Sequence, residues 1–306
     1  MKRAVVFAYH NVGVRCLKVL LAQGVQVELV VTHEDNPNEN IWFGSVAQVC
    51  RDFGIPFITP QDPNTPEIEA QIAALDVDFL FSFYYRNMLK APLLASARRG
   101  AYNMHGSLLP QYRGRVPVNW AIIHGETQTG ATLHVMNIKP DNGPIVDQQA
   151  VPILPDDTAQ EVFEKVTVAA ELCLYRAVPQ LLAGTETLTL QDLSQGGYFG
   201  GRKAEDGRID WAAGAKKIHD LVRSVTRPYP GAFADIPQGR LVLWRTRCLS
   251  QTNASADRGM IAADDKNLLL YTPDGGVLQL LDAELDGQKL DASSLARLFG
   301  GKLLLQ

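Results

Sequence analysis

Cysteine is scarce in this 306-residue chain: Cys16, Cys50, Cys173 and Cys248 are scattered, with no CxxC pair and no metal-ligand spacing. That excludes zinc-finger and disulfide-scaffold classes, implies no metal site, and predicts reduced, mostly buried thiols in a cytoplasmic protein. Long apolar runs are missing too. None approaches the roughly 20 residues that span a bilayer, so membrane insertion is not expected. The start, MKRAVVFAYH, is apolar for only a few residues before His10 and Asn11, and no small-residue cleavage site follows. Positive charge is in no excess: residues 1–200 hold 14 Lys and Arg against 20 Asp and Glu, and residues 201–306 hold 15 against 13. Neither balance suits a polyanion, so no nucleic-acid partner is expected. The G-x-G-x-x-G loop of dinucleotide sites is absent, since the first apolar run is followed by YHNVG with a single glycine. Ser107 stands in HGSLLP, not in a G-x-S-x-G elbow, which disfavours a serine hydrolase.

What is present is a globular composition, 46% hydrophobic and 20% charged with net charge −4, in a chain long enough for two domains. A continuous apolar run at Arg3–Tyr9 reads as a strand buried on both faces, and Val25–Thr32, Ile55–Thr59 and Val77–Tyr85 read as further strands. Helical patterns alternate with them: one ending at Gly24, one over Gly44–Gly54 and one near Pro66–Leu75. Repeated strand–helix units predict a parallel sheet with right-handed crossovers and helices on both faces. Two more strands are expected at Thr129–Met136 and Pro144–Val151, then a long helix capped by Asp157 or Thr158 and running to about Leu182. Residues 196–210, rich in Gly and charge, read as a linker between a catalytic domain (1–195) and a C-terminal domain (211–306). That last part has a helix near Ala212–Thr226 and short strands spaced by turns, the pattern of a small β-barrel or sandwich.

Ligands bind such sheets beyond the carboxyl ends of the strands, which singles out Tyr9-His10-Asn11, Tyr84-Tyr85-Arg86-Asn87 and Asn103-Met104-His105. Asn103 and His105, two residues apart on an extended strand, face the same side. Asp141, in the Gly- and Pro-bounded loop NIKPDNG, is placed to reach them. An amide donating to an oxyanion, an imidazole moving a proton and a carboxylate orienting it make a set equipped for acyl transfer. The other histidines, His33, His124, His134 and His219, sit in no such motif and are expected to be structural or surface residues. Arg113 and Arg115 admit a reading as solvated loop charges.

The segment NMHGSLLPQYRGRVPVNWAIIHGETQTGATLHVM closely resembles the signature of the 10-formyltetrahydrofolate-dependent formyltransferases: Asn-x-His, SLLP-x-x-RG, a T-G strand and an Asp-bearing loop. The resemblance covers essentially the whole chain. It implies a Rossmann-like, mostly parallel α/β sheet followed by a small OB-like β-barrel, with Asn103, His105 and Asp141 as catalytic residues. It implies N10-formyltetrahydrofolate as cosubstrate, met by Asn87, Met88, Leu89, Arg115, Asn137, Ile138, Lys139 and Pro140. In that chemistry Asp141 would raise the pKa of His105, and protonated His105 would help to hold the oxyanion.

Within the family, VVFAYHNVG, THEDNPNENIWFGSVA, FSFYYRNML and RPYPGAF resemble the formyltransferase half of the bifunctional polymyxin-resistance enzymes. This implies UDP-4-amino-4-deoxy-L-arabinose as acceptor, in lipid A modification, and leaves room for a fused or separate decarboxylase partner. Other nucleotide-linked amino sugars, methionyl-tRNA, hydrolysis of the formyl donor, and a non-catalytic folate- or nucleotide-binding role are the competing functions. The short acidic segment after the second strand speaks against tRNA.

Overall fold

The computed structural model describes residues 1–249, 259–264 and 267–305. The chain forms two compact units: Met1–Pro117, Gln128–Pro152 and Phe163–Gly200 make one, and Val118–Thr127, Ile153–Val162 and Gly201–Gln306 the other.

In the first unit the strands are β1 (Arg3–Ala8), β2 (Gln26–Val31), β3 (Phe57–Ile58), β4 (Phe79–Phe83), β5 (Gly100–His105), β6 (Arg113–Gly114), β7 (Gln128–Val135), β8 (Ile145–Pro152) and β9 (Tyr198–Phe199). The helices are α1 (His10–Ala22), α2 (Val46–Phe53), α3 (Pro66–Ala74) and α4 (Ala91–Leu94); α5 (Pro117–Ile123) and α6 (Ala159–Ala183) follow in the chain. Seven strands form one sheet in the order β3-β2-β1-β4-β5-β7-β8. β1 to β5 pair in parallel, while β7 runs antiparallel to both β5 and β8. The reversal at β7 sets Thr132 opposite His105 and His134 opposite Asn103, beside the carboxyl end of β5.

The central strands form because Val5, Val6, Phe7, Phe79, Leu80, Phe81 and Phe83 have nowhere wet to point: each is at most 1% exposed. Burying each such side chain stabilises the sheet by about 1.5–3 kcal/mol. Helix boundaries follow local capping. Ser45 accepts from Gln48 N at 3.2 Å to open α2, and Thr65 from Ile68 N at 3.5 Å, with Pro66 at the first position, to open α3. Thr158 and Glu161 form a reciprocal capping box at the start of α6, Glu161 accepting from Thr158 N at 2.7 Å and Thr158 from Glu161 N at 3.3 Å. By length and composition α6 could cross a membrane, but Val162, Val166, Ala169, Cys173, Ala177 and Leu181 put a buried stripe down one side of it at helical spacing.

The second unit carries α7 (Ala215–Val225), β10 (Ala232–Ile236), β11 (Gly239–Leu249), β12 (Met260–Asp264), β13 (Asn267–Tyr271), β14 (Val277–Leu285), β15 (Gln288–Lys289), α8 (Ala292–Phe299) and β16 (Lys302–Leu304). Its antiparallel sheet runs β10-β11-β14-β13-β12-β16. Register shifts near Leu243–Thr246 mark bulging of β11 against β14, which bends a strand and curls the sheet into an OB-like half-barrel. Leu241, Leu243, Leu270, Leu278 and Leu295 fill it from one face, with Ile218 and Val222 of α7 closing the core.

Candidate active site

β5 ends on the pair the sequence singles out. Asn103 and His105 share a face while Met104 between them is 1% exposed on the other side. β7 lies antiparallel beside β5 with Asn103 opposite His134, so that strand's polar face meets the same spot. Asp141 follows in the loop after β7.

The structure brings Asn103, His105 and Asp141 together with a fourth group, His134. Asp141 Oδ1 lies 3.6 Å from His105 Nδ1 and 3.6 Å from His134 Nε2, while Oδ2 accepts from Gly114 N at 2.9 Å. Asn103 Nδ2 is 3.1 Å from His134 Nε2, and His134 Nδ1 is 2.9 Å from the Val135 carbonyl. The carbonyl can only accept, so Nδ1 of His134 carries its proton and Nε2 accepts from the Asn103 amide. His134 is therefore no mere core histidine: its ring orients Asn103. Its signal in the sequence is Thr132 and His134, two polar residues two apart in the run Ala131–Val135, which only the β5–β7 register makes meaningful.

His105 Nε2 lies 2.8 Å from the Tyr112 carbonyl and by the same logic donates to it, which leaves Nδ1 facing Asp141. At 7% exposure, burial is the largest influence on this imidazole and pulls its pKa below the ordinary value, although the Asp141 carboxylate pulls the other way. The expected upward shift of His105 is thus corrected: desolvation of the cation outweighs the neighbouring charge. Asp141 is pushed up by burial too, but His105 and His134 in their protonated forms, together with the Gly114 N–H, more than offset this and hold it at about 2 in the acid range where it titrates. At neutral pH the pair is a carboxylate beside a neutral imidazole.

Ser107 is fully buried and donates to the Gln111 carbonyl at 2.6 Å, a turn-forming role. Arg113 is not a solvated charge: its guanidinium donates to Asn142 Oδ1 and to the Leu193 and Gly196 carbonyls at 3.0–3.1 Å. Arg115 is exposed. Asn87 Nδ2 donates to the Gln61 carbonyl at 2.8 Å and the Met88 carbonyl accepts from Asn64 at 3.0 Å, while Met88 itself is 56% exposed and Leu89 is buried. Asn137, Ile138 and Lys139 are exposed on the β7 loop and Pro140 is half-buried. Among the described residues no group of three or more His, Cys, Asp or Glu is arranged to hold a metal ion.

The rim at the ends of β1 and β4 is aromatic. His10, with a left-handed φ of 65°, packs against Trp42, Phe43 and Phe163, and burial lowers its pKa to about 4. His33 stacks on Tyr85 and accepts from Arg86 N, so it is structural as expected. His219 is also held internally, between Thr246 Oγ1 and the Pro155 carbonyl. The acids of the following segment are engaged: Asp35 accepts from Tyr9 Oη, Glu39 forms a two-pronged pair with Arg86, and Glu34 accepts from Thr59.

Comparison with known proteins matches this architecture. The formyl transferase family model covers residues 4–178, and the formyl transferase C-terminal domain model covers residues 202–300. The fold resembles an N-formyltransferase from Helicobacter canadensis solved with folinic acid and dTDP-3-aminofucose, at 19% identity and TM-score 0.74, over 95% of this chain and 100% of that one. It resembles a 4-N formyltransferase from Francisella tularensis at 21% identity and TM-score 0.63, over 77% and 93% of the chains. HypX from Aquifex aeolicus, solved with tetrahydrofolic acid, matches at 16% identity and TM-score 0.62, this chain spanning 47% of its length. With both domain models matched in order along an α/β sheet and a curled antiparallel one, the chain belongs to the formyl transferase family.

Proposed function

We propose that this enzyme transfers the formyl group of N10-formyltetrahydrofolate to the 4-amino group of a nucleotide-linked amino sugar, UDP-4-amino-4-deoxy-L-arabinose. The observation that carries the reading is the convergence of Asn103, His105 and Asp141 at the carboxyl end of β5. The Helicobacter protein, which shares the fold, is described with a folate and a dTDP-amino sugar, and the stretches VVFAYHNVG, FSFYYRNML and RPYPGAF resemble enzymes acting on the UDP-arabinosamine.

The sugar amine attacks the formyl carbon as its neutral form, giving a tetrahedral oxyanion and an ammonium. Asn103 gives one amide proton to His134 and keeps the other for the oxyanion; one such donor is worth roughly 10²–10³ in rate. His105 begins neutral, with Nε2–H on the Tyr112 carbonyl, so its Nδ1 accepts the ammonium proton. The imidazolium formed then faces Asp141, whose charge stabilises it where water is excluded. As the intermediate collapses, the C–N10 bond breaks and the proton passes to the folate nitrogen, returning His105 to neutral. Tetrahydrofolate and the N-formyl sugar leave.

The folate pterin is assigned to backbone groups of Asn87, Met88 and Leu89 and of Asn137, Ile138, Lys139 and Pro140, with Arg115 on the folate side. The exposed Met88 and Ile138 side chains flank these segments and supply apolar surface for a planar ring. The segment after β2, residues 33–43, holds no Lys or Arg and its acids pair internally, which disfavours a tRNA acceptor stem. In this reading the enzyme works in the cytoplasm, upstream or downstream of a decarboxylase that is fused or separate.

The test is tetrahydrofolate release from 10-formyltetrahydrofolate with UDP-4-amino-4-deoxy-L-arabinose, dTDP-linked amino sugars and initiator methionyl-tRNA offered separately. Turnover with the UDP sugar alone supports the proposal. Turnover with another acceptor alone overturns the acceptor while keeping the chemistry, and folate binding without any turnover overturns the transfer reading.

A further inference from the structure

The stretch that follows α6 returns to the loop carrying Asp141 and grips it. Ile145 and Thr189 exchange two backbone hydrogen bonds, 2.7 and 2.9 Å long. Two residues on, Gln191 Nε2 donates to the Asp141 carbonyl at 2.9 Å and to the Gly143 carbonyl at 2.6 Å. One side-chain amide therefore spans the loop from the carboxylate-bearing residue to the glycine behind it. Asp141 needs such a hold, because its backbone is left-handed at φ 57°, a conformation costing an L-residue about 1–2 kcal/mol.

The amide is an odd choice if packing were its only purpose. Its Oε1 is buried with no hydrogen-bond partner, and an acceptor left so is destabilising. A leucine would fill the same space without that penalty. What a leucine lacks is a forked donor for two carbonyls of the catalytic loop. We infer that Gln191 is a positioning residue for formyl transfer, holding the Asp141–Gly143 backbone so that Asp141 stays in reach of His105 and His134. The inference rests on the role given to Asp141 above, and it places part of the active site in a stretch with no catalytic motif of its own.

Gln191→Leu removes both donors. Gln191→Glu keeps the shape but, ionised, turns oxygen toward each carbonyl; once protonated it regains one O–H donor. Both variants, with Asp141→Asn alongside, are assayed for kcat, both KM values, pH profile and Tm, using whichever acceptor the wild type formylates. A loosened catalytic carboxylate predicts kcat about a hundredfold lower for Gln191→Leu, with both KM values changed less than about threefold. The acid limb of kcat/KM, set by His105, shifts to lower pH as the Asp141 contribution weakens. Gln191→Glu loses activity at neutral pH and recovers part of the loss as pH is lowered. If Asp141→Asn abolishes turnover while both Gln191 variants keep the wild-type kcat and pH profile, the inference fails and the Asp141 role stands. If Asp141→Asn turns over normally, both fall. A Gln191→Leu enzyme that is merely unstable, with Gln191→Glu showing an unaltered profile, reduces Gln191 to a structural residue and overturns the inference.

Discussion

Replacing Gly143 with alanine should separate Asp141 from His105 more surely than any change at the periphery. A Cβ at position 143 would lie 1.8 Å from the Val135 carbonyl oxygen and 2.8 Å from its carbon. Both atoms are backbone, so no side-chain rotation relieves the clash. β7 cannot readily yield there, since Val135 N donates to the Pro144 carbonyl at 2.9 Å and Met136 N to the Ala101 carbonyl at 2.7 Å. Opening the contact merely to 3.0 Å, below which real Cβ atoms are essentially never found, needs a movement of about 1.2 Å. The loop is the softer side, and Asp141 sits two residues away on it. A displacement near 1 Å in a catalytic group costs about a hundredfold in rate, or roughly 2.7 kcal/mol of barrier. Overpacking adds about 1–3 kcal/mol of destabilisation, a fall of several degrees in Tm. The assay is tetrahydrofolate release under saturating substrates, paired with thermal unfolding. Gly200→Ala serves as control, since a Cβ there meets nothing within 4 Å, and it should match wild type in both measurements. A Gly143→Ala enzyme with kcat within about threefold of wild type and an undisplaced Tm would refute the account of how the loop is held.

Acid stability carries two further signatures of opposite origin. Asp141, held at about 2 against an ordinary 3.8, binds its proton more weakly folded than unfolded. Its contribution, on the order of 2 kcal/mol, is present above about pH 4 and lost as pH falls from there towards 2, so urea unfolding should show a smaller loss over that window in Asp141→Asn. His10 and His33, both lowered to about 4 from 6.5 by burial, also bind protons more weakly when folded. Their contribution is complete above about pH 6.5 and declines towards pH 4, and His33→Gln should flatten that part of the unfolding profile. Among the thiols, Cys16, Cys50 and Cys173 are buried and Cys248 is exposed. Burial pushes Cys50 to about 11 and Cys173 to about 12, so an aromatic disulfide reagent at neutral pH should titrate one thiol in the folded enzyme and four in urea. Two or more fast thiols before unfolding would contradict the packing of α1, α2 or α6.

How much of this was legible beforehand depends on where the information sits along the chain. The strands β1 and β4 are legible because burial on both faces leaves a nearly unbroken apolar run, β2 because Val27, Leu29, Val30 and Val31 dominate it despite Gln26 and Glu28, and α2, α3 and α6 because their caps and stripes are local. α8 and β10 were not singled out: Ala292–Phe299 is short, and Ala232–Ile236 shares its apolar residues with the RPYPGAF turn. β3 is limited to Phe57–Ile58 because Ile55 N donates to the Cys50 carbonyl at the end of α2 and β2 itself ends at Val31. The proposed catalytic triplet was legible through spacing and resemblance, since Asn103 and His105 lie on one strand and Asp141 on a marked loop. His134 and Gln191 were not, for a shared reason. Each acts through a partner set by three-dimensional closure, His134 by the antiparallel register that puts it opposite Asn103, Gln191 by the return of the chain to the far side of the Asp141 loop. Burial hid the charge state in the same way. A carboxylate next to a histidine argues, in sequence, for a protonated imidazole; only the depth of the site makes desolvation the larger effect. A neutral His105 is also the more useful starting point, because a ring that begins without its second proton can take one from the attacking amine. In the proposed mechanism the group expected as an oxyanion donor therefore starts the reaction as its base, and Asn103, aimed by His134, is left to hold the oxyanion.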